Sequence, residues 1–371
     1  MTIGLSGPDI GPREKELVNE VLDSGWLSLG KMLDKFEKNF ADYIGTKYAV
    51  GVNSGTSGLH LLIRALGIEA GDEVITTPFS FVASSNCILF ENAKPVFVDI
   101  DPKTLCIDPD KIEAAITDKT KAILPVDVFG QPANMTKIME IADEYNLKVI
   151  EDSCEAIGAE HKGQKAGTFA DASVFAFYPN KQITTGEGGM IVTDDEEIAN
   201  LCRSMRNQGR SQDKQWLSHV RLGYNYRLDE MSCAVGIAQL ERIEEILAKR
   251  ASVAEKYNKL LADAPEVKTL TITEDTTKMS WFVYVIQLAE EIDRNRVMDY
   301  LRDNGVSCKP YFTPIHLQPF YVEEFGYQRG DFPITERVSD STIALPFYNE
   351  LSEGEVETVV DNLKSAIEIT K

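Results

Sequence analysis

From Lys47 onward, seven short runs rich in β-branched and apolar residues recur along the chain: Tyr48 to Val52, Glu73 to Thr77, Pro95 to Asp99, Ala122 to Val126, Lys148 to Glu151, Ala172 to Phe177 and Gly189 to Thr193. Between them, Leu59 to Leu66, Pro109 to Ile116 and Met135 to Tyr145 carry apolar residues at helical spacing. Parallel strands need a long crossover, whereas antiparallel ones can be joined by a tight turn. The alternation therefore predicts an α/β fold: a large domain built on a mostly parallel seven-stranded sheet sandwiched by helices.

The pattern changes further along. Asp229 to Lys259 reads as one long, charge-laced connecting helix. After it come a strand (Trp281 to Leu288), a helix (Arg294 to Asn304), a proline- and aromatic-rich stretch (Lys309 to Tyr321) and a final helix (Ser352 to Ile369), which together predict a smaller C-terminal α+β domain. The expected division is 1–245 and 246–371, with a helix around Glu14 to Ser24 free to pack on either part. A chain of 371 residues with 43% hydrophobic content can fill both cores.

Composition excludes several classes. No apolar run reaches the roughly 20 residues of a membrane span, and the N-terminal stretch lacks the pattern of a secretory signal, so the expected location is the cytoplasm. The six cysteines form neither a C-x-x-C pair nor a cluster with histidine, which argues against a zinc site or a disulfide framework. A formal charge of −21 disfavours nucleic acid and anionic membranes as partners. It also means that an anionic substrate needs a locally positive pocket.

Ligands of open α/β sheets bind beyond the carboxyl ends of the strands, and several chemistry-bearing residues fall there. Tyr48 to Val52 runs into Asn53-Ser54-Gly55-Thr56-Ser57-Gly58 and then a helix. Glycines let the backbone approach an anion, and a helix start supplies free amides. Alone, this segment reads equally as an ordinary strand–helix turn, since it matches neither a Walker loop nor G-x-G-x-x-G. Thr77-Pro78-Phe79-Ser80-Phe81 ends a strand in aromatics that could cover a flat ring or simply pack in a core. Asp152, at the end of a buried strand, needs a cationic partner or caps a helix. Lys181 follows Phe177-Tyr178-Pro179-Asn180 and precedes a glycine-rich loop. An amine, a carboxylate suited to a ring nitrogen, a phosphate cradle and a stacking aromatic are jointly what pyridoxal 5′-phosphate requires.

At this point the chain resembles the DegT/DnrJ/EryC1/StrS family of nucleotide-sugar aminotransferases, which share the aspartate aminotransferase fold (fold type I). The likeness runs through Ser24-Gly25-Trp26-Leu27-Ser28-Leu29-Gly30, Ser54-Gly55-Thr56, Gly71-Asp72-Glu73-Val74-Ile75, Pro95 to Asp101, Glu151-Asp152, the lysine loop, Gly223-Tyr224-Asn225-Tyr226-Arg227 and Pro314-Ile315-His316-Leu317-Gln318-Pro319. It implies that Lys181 holds the aldehyde of pyridoxal 5′-phosphate, Asp152 partners the pyridine nitrogen, Gly55 and Thr56 bind the phosphate, and Phe81 stacks on the ring. It further implies that Asn225 reaches the phosphate of a second subunit, making the active site the property of a homodimer. Two departures stand out. Glu155 occupies a cofactor-facing position where members commonly carry Gln or His, and Ala176 replaces a serine that donates to the phosphate. A second carboxylate beside Asp152 is costly unless a cation intervenes.

The reaction implied is transfer of an amino group from L-glutamate to a nucleotide-linked keto-sugar, in amino-sugar and surface-polysaccharide biosynthesis. The loop Ile183-Thr184-Thr185-Gly186-Glu187-Gly188-Gly189 resembles members that aminate C4 of an NDP-4-keto-6-deoxyhexose, whereas C3 enzymes more often carry a loop of the L-G-A-Y-G-D type. Trp26, Tyr178, Tyr311 and His316 are candidates for the sugar side, and Arg227 and Lys309 for anionic groups. Other readings are a C3 aminotransferase, an aminodehydroquinate-type synthase, a cofactor-binding sensor or scaffold without turnover, and an α/β enzyme for another phosphorylated ligand. A sugar 3-dehydratase of the family would carry histidine in place of Lys181.

Overall fold

The computed structural model describes residues 2–211 and 218–370. Strands β1 (Tyr48–Val52), β2 (Glu73–Thr76), β3 (Lys94–Phe97), β4 (Thr120–Leu124) and β5 (Lys148–Asp152) are followed by two short strands, β6 (Glu160–His161) and β7 (Gln164–Lys165), and then by β8 (Ala172–Ala176) and β9 (Gly189–Thr193). The main sheet has the order β1-β9-β8-β5-β4-β2-β3. Only β9 runs against its neighbours, pairing antiparallel with β1 and β8, while β8, β5, β4, β2 and β3 pair in parallel. β2 and β9 are buried along their whole length, as strands covered on both faces must be. Each of the seven expected strands is present.

Helices α1 (Pro12–Ser24), α2 (Lys31–Ile44), α3 (Gly55–Ala65), α4 (Ala83–Leu89), α5 (Met135–Tyr145), α6 (Glu196–Arg206), α7 (Glu230–Glu241) and α8 (Ile243–Leu261) belong to or flank this sheet. One face is covered by α3 with α4 and α6 packed against it, around Leu61, Leu62, Cys87 and Cys202. The other carries α1, α2 and α7 around Leu17, Phe36, Phe40 and Ile237, which settles the packing of the N-terminal helix. The amphipathic helix α2, with Leu33, Phe36, Phe40 and Ile44 inward, was not anticipated, although its apolar spacing is helical.

Three expectations need correction. The long connecting helix is two helices, because Arg242 leaves helical geometry (φ −113°, ψ 12°) and its guanidinium bonds the Asp9 carbonyl and carboxylate at 3.0 Å each. Pro109 to Ile116 forms two single 3₁₀ turns rather than a helix. The strand expected from Trp281 starts at Tyr284, since Ser280 to Phe282 bond elsewhere.

Beyond α8, the strands β10 (Val267–Thr269), β11 (Thr276–Lys278), β12 (Tyr284–Leu288) and β13 (Thr342–Leu345) follow. β10, β12 and β13 make a separate antiparallel sheet, covered by α8, by Arg294–Asp303 and by the last helix, Glu353–Thr370. Its apolar cluster spans Val253 to Ile367 and takes in Ile3 from the N-terminus. Among the described residues, no helix is long and apolar enough to cross a membrane.

Candidate active site

A cavity of about 530 Å³ opens at the carboxyl ends of β1, β2, β5 and β8. Each strand end delivers part of its lining. After β1, Ser54 caps α3, its hydroxyl oxygen accepting from Ser57 N–H at 3.0 Å, so Gly55 and Thr56 form the first turn facing the cavity. A Cβ on Gly55 would lie 2.8 Å from the Ala176 Cβ and 2.9 Å from the Cys154 Sγ, so only glycine lets the backbone sit this close to the neighbouring strand ends.

β5 ends in Asp152, which is 4% exposed. Its Oδ2 accepts from the Ser84 hydroxyl at 2.7 Å and its Oδ1 from Cys154 N–H at 3.2 Å. Ser84 is in turn 2.9 Å from the Ser80 hydroxyl, so α4 holds the carboxylate in place. After β8, the turn Tyr178-Pro179-Asn180-Lys181 closes with Lys181 N–H donating to the Tyr178 carbonyl at 2.9 Å, and the lysine side chain returns into the cavity.

Lys181 Nζ lies 3.4 Å from Glu155 Oε1 and 4.0 Å from the centre of the Phe282 ring. The other Glu155 oxygen accepts from Phe129 N–H at 2.9 Å. Lys181 is thus the cation that makes a second carboxylate tolerable near Asp152. Burial raises the pKa of Glu155, and the Lys181 charge opposes that shift. Burial followed by the Asp152 charge pushes the Cys154 thiol well above its usual range, which leaves it protonated and unreactive. Among the charged residues lining the cavity, Lys181 faces Asp152, Glu155 and Glu187.

The structure brings Gly55, Thr56, Phe81, Asp152, Glu155, Tyr178, Lys181 and Tyr311 together around this cavity. Phe81 is 63% exposed and stands at its rim, where a larger groove of about 820 Å³ begins. Five candidates lie elsewhere. His316 is fully buried, its Nε2 3.0 Å from Glu336 Oε1 and its ring against Phe332, and burial lowers its pKa; a substrate-contacting histidine is thereby corrected to a packed one. Trp26 is exposed away from the lining, Lys309 is exposed beside β13, and Arg227 bonds Asn207 Oδ1 at 3.0 Å. Asn225 is exposed outside the cavity, although Asn53 beside the cradle donates to its carbonyl at 3.4 Å. Sequence reasoning missed Ser84, Asn180, Phe282 and Phe312, which also line the cavity. Ser84 stands four residues after Ser80, a helical spacing that could have revealed it; Phe282 arrives from a distant segment with no local signal.

The residues fit pyridoxal phosphate. The Gly55 cradle admits no side chain, the Asp152 carboxylate is held facing the cavity, Lys181 is the one lysine in the lining, and the buried Asn180 Oδ1 has no hydrogen-bond partner. The fold and site are those of a pyridoxal-phosphate-dependent transferase. Comparison with known proteins makes this particular. The model of the DegT/DnrJ/EryC1/StrS aminotransferase family matches residues 8–364, and the chain belongs to that family. It is 38% identical to the GDP-perosamine synthase of Caulobacter vibrioides over 98% of each sequence. Among solved structures, Helicobacter pylori PseC, an aminotransferase involved in the biosynthesis of pseudoaminic acid, superposes with a TM-score of 0.95 at 30% identity over the whole of both chains. The PLP form of Spr1654 from Streptococcus pneumoniae gives 0.95 at 27% identity, again over the whole of both chains. The protein is a PLP-dependent sugar aminotransferase.

Proposed function

We propose that the chain transfers the amino group of L-glutamate to C4 of a nucleotide-linked 4-keto-6-deoxyhexose in the cytoplasm. The observation that carries this reading is Lys181 in a cavity with Asp152 and the Gly55–Thr56 cradle, in a chain similar throughout its length to a GDP-perosamine synthase. That relative makes a GDP-linked keto-sugar the first acceptor to test. Support for C4 comes from the lysine loop Ile183 to Gly189, and glutamate rests on the family resemblance.

When bound, pyridoxal phosphate supplies an electron-withdrawing ring that stabilises negative charge on the carbon losing its proton. Gly55 and Thr56, at the amino end of α3, would hold its phosphate with amides and a hydroxyl, aided by the helix dipole. The Asp152 carboxylate, kept in place by Ser84 and the Cys154 amide, would accept the ring nitrogen's proton in a charge-assisted bond. Phe81 would cover the ring from the rim. Lys181 Nζ would hold the cofactor at its aldehyde carbon and, when free of it, would take and return the donor's proton as base and acid. Glu155 and Phe282 would hold that amine while it is unbonded.

In this reading the site is shared by two copies of the chain. A phosphorylated cofactor, glutamate and a nucleotide sugar are all anionic, yet the lining sets Lys181 against Asp152, Glu155 and Glu187. Further positive charge would come from outside a single chain, and the loop carrying the exposed Asn225 and the half-buried Arg227 is a source suited to a partner's cavity. Tyr178 and Tyr311 remain the sugar-side candidates that line the cavity. The division into a cofactor-binding part (1–245) and a smaller part (246–371) belongs to the same reading, supported by the separate apolar cluster that starts at Val253.

Incubation with L-glutamate and a panel of GDP-, UDP- and dTDP-linked 4-keto and 3-keto sugars tests it, with 2-oxoglutarate assayed and the new amine located by NMR. A C4 amine with equimolar 2-oxoglutarate is expected. An amine at C3, or none with any 4-keto sugar, would overturn the C4 assignment.

A further inference from the structure

The roof of the cavity is a segment that no strand end provides. Ser280, Trp281 and Phe282 precede β12, and each is held by its own bonds. Ser280 N–H donates to the Gly130 carbonyl at 3.0 Å, and its hydroxyl donates to the Ile157 carbonyl at 2.6 Å. Gln182, next to the lysine, donates from Nε2 to the Ser280 carbonyl at 3.0 Å and to the Glu155 carbonyl at 2.5 Å. The approach is so close that a Cβ on Gly130 would lie 1.6 Å from the Ser280 oxygen, and Gly130 has a φ of +96°.

Phe282 N–H donates to the Phe129 carbonyl at 3.3 Å, and the remaining anchor is Arg250 of α8, which is 3% exposed. Its Nε donates to the Trp281 carbonyl and its Nη2 to the Phe282 carbonyl, both at 2.6 Å; Nη1 bonds Asn349 Oδ1 at 3.2 Å. No ion pair with a carboxylate forms at this guanidinium among the described residues. Burial pulls its pKa down to about 10. A buried charge without an anionic partner is costly, and an apolar side chain would fill the same space at less expense. What the guanidinium does that an apolar group cannot is grip two successive carbonyls in a fixed fork. Those carbonyls set the residue whose ring stands 4.0 Å from Lys181 Nζ.

We propose that Phe282 is a positioning residue for Lys181, its ring and the Glu155 carboxylate together holding the amine whenever it is not bonded to the cofactor, and that Arg250 acts through Phe282 by fixing the strap Ser280–Phe282. This rests on the reading of Lys181 given above. A displaced lysine has four side-chain torsions and would wander in an open cavity. The ring face attracts the ammonium and the Glu155 carboxylate accepts a hydrogen bond from it, so the nitrogen stays where, as a neutral amine, it must take the donor's proton and, as the ammonium, return it.

The variants to compare are Phe282→Leu, Phe282→Tyr and Arg250→Lys, each checked for native melting. The first readout is the rate at which cofactor-free protein gains a visible absorbance band on adding pyridoxal phosphate. The second is the separation of kcat from KM for glutamate. A cation–π contact in a desolvated site corresponds to a factor of about ten. Phe282→Leu should slow band formation and kcat by about that factor with KM within about twofold, Phe282→Tyr should restore both, and Arg250→Lys should resemble Phe282→Leu because an ammonium cannot span both carbonyls. Native rates in Phe282→Leu, or in Arg250→Lys, would overturn the corresponding half of the proposal. A native protein that gains no band at all would contradict the assignment of Lys181 itself, and the strap with it.

Discussion

The cavity-facing end of β5 and the core directly behind it treat buried carboxylates in opposite ways. At the cavity, Asp152 receives hydrogen bonds from Ser84 and the Cys154 amide, and the lysine stands across the same space. Behind it, Asp127 and Glu151 are both fully buried and face each other, with Asp127 taking bonds from Ser153 and the Ala133 amide and Glu151 from Ser173. Burial, then the neighbouring Glu151, drives the Asp127 pKa well above the usual carboxylate range, and burial raises that of Glu151. The first region sets its carboxylate among donors and across from a cation, and the second buries two acids beside each other with hydroxyl and amide donors. An acid at a strand end thus does not reveal its role; the donors and cations around it do.

Removing the lysine breaks the cavity side of that contrast most severely. Lys181→Ala should lose transamination by on the order of 10⁴-fold, since base, acid and covalent anchor vanish together; residual production of 2-oxoglutarate near the native rate would refute it. Asp152→Asn keeps the Ser84 bond but not the charge. Turnover should fall by about 10²-fold or more with the cofactor still bound, measured as kcat beside cofactor content. Near-native turnover there would place the ring nitrogen's partner elsewhere.

The core side is tested by stability. The folded Asp127–Glu151 pair holds its proton more tightly than the unfolded chain does, so its contribution is full below the ordinary carboxylate pKa of about 4 and is lost as pH rises through it towards the pair's raised value. Asp127→Asn removes one titrating group and leaves a donor facing Glu151. Its melting temperature should fall less steeply than that of the native protein between about pH 5 and 8; an unchanged slope would mean the pair does not share a proton. The smallest effect is expected at the cradle. Ala176 lines the cavity beside Gly55, and Ala176→Ser adds one hydroxyl, worth about 1 kcal/mol, so cofactor should dissociate about fivefold more slowly. Faster loss would show that the hydroxyl crowds the cradle instead.

The strand-end wall was legible in the sequence because it is local. A β-rich run followed by Gly55-Thr56, by Asp152 or by Lys181 states both the strand and what stands at its edge, and the parallel sheet aligns those edges. The roof was not legible. Phe282 is about a hundred positions from the lysine, and Arg250 reads as one more charge on a helix until its burial against two carbonyls is known. His316 failed for the converse reason: a histidine among prolines and aromatics looks the same in sequence whether it faces a ligand or, as here, Glu336 in a closed core. The break at Arg242 carries no glycine or proline and depends on the distant Asp9.

The central claim is that one amine, that of Lys181, grips an aldehyde cofactor in the cavity before β9. It is tested most directly by saturating the protein with pyridoxal phosphate, reducing with borohydride and mapping the modified peptide by mass. The account predicts one cofactor mass per chain, on Lys181, and none there in Lys181→Ala. Modification of a different lysine, or none in protein that still aminates a keto-sugar, would contradict it.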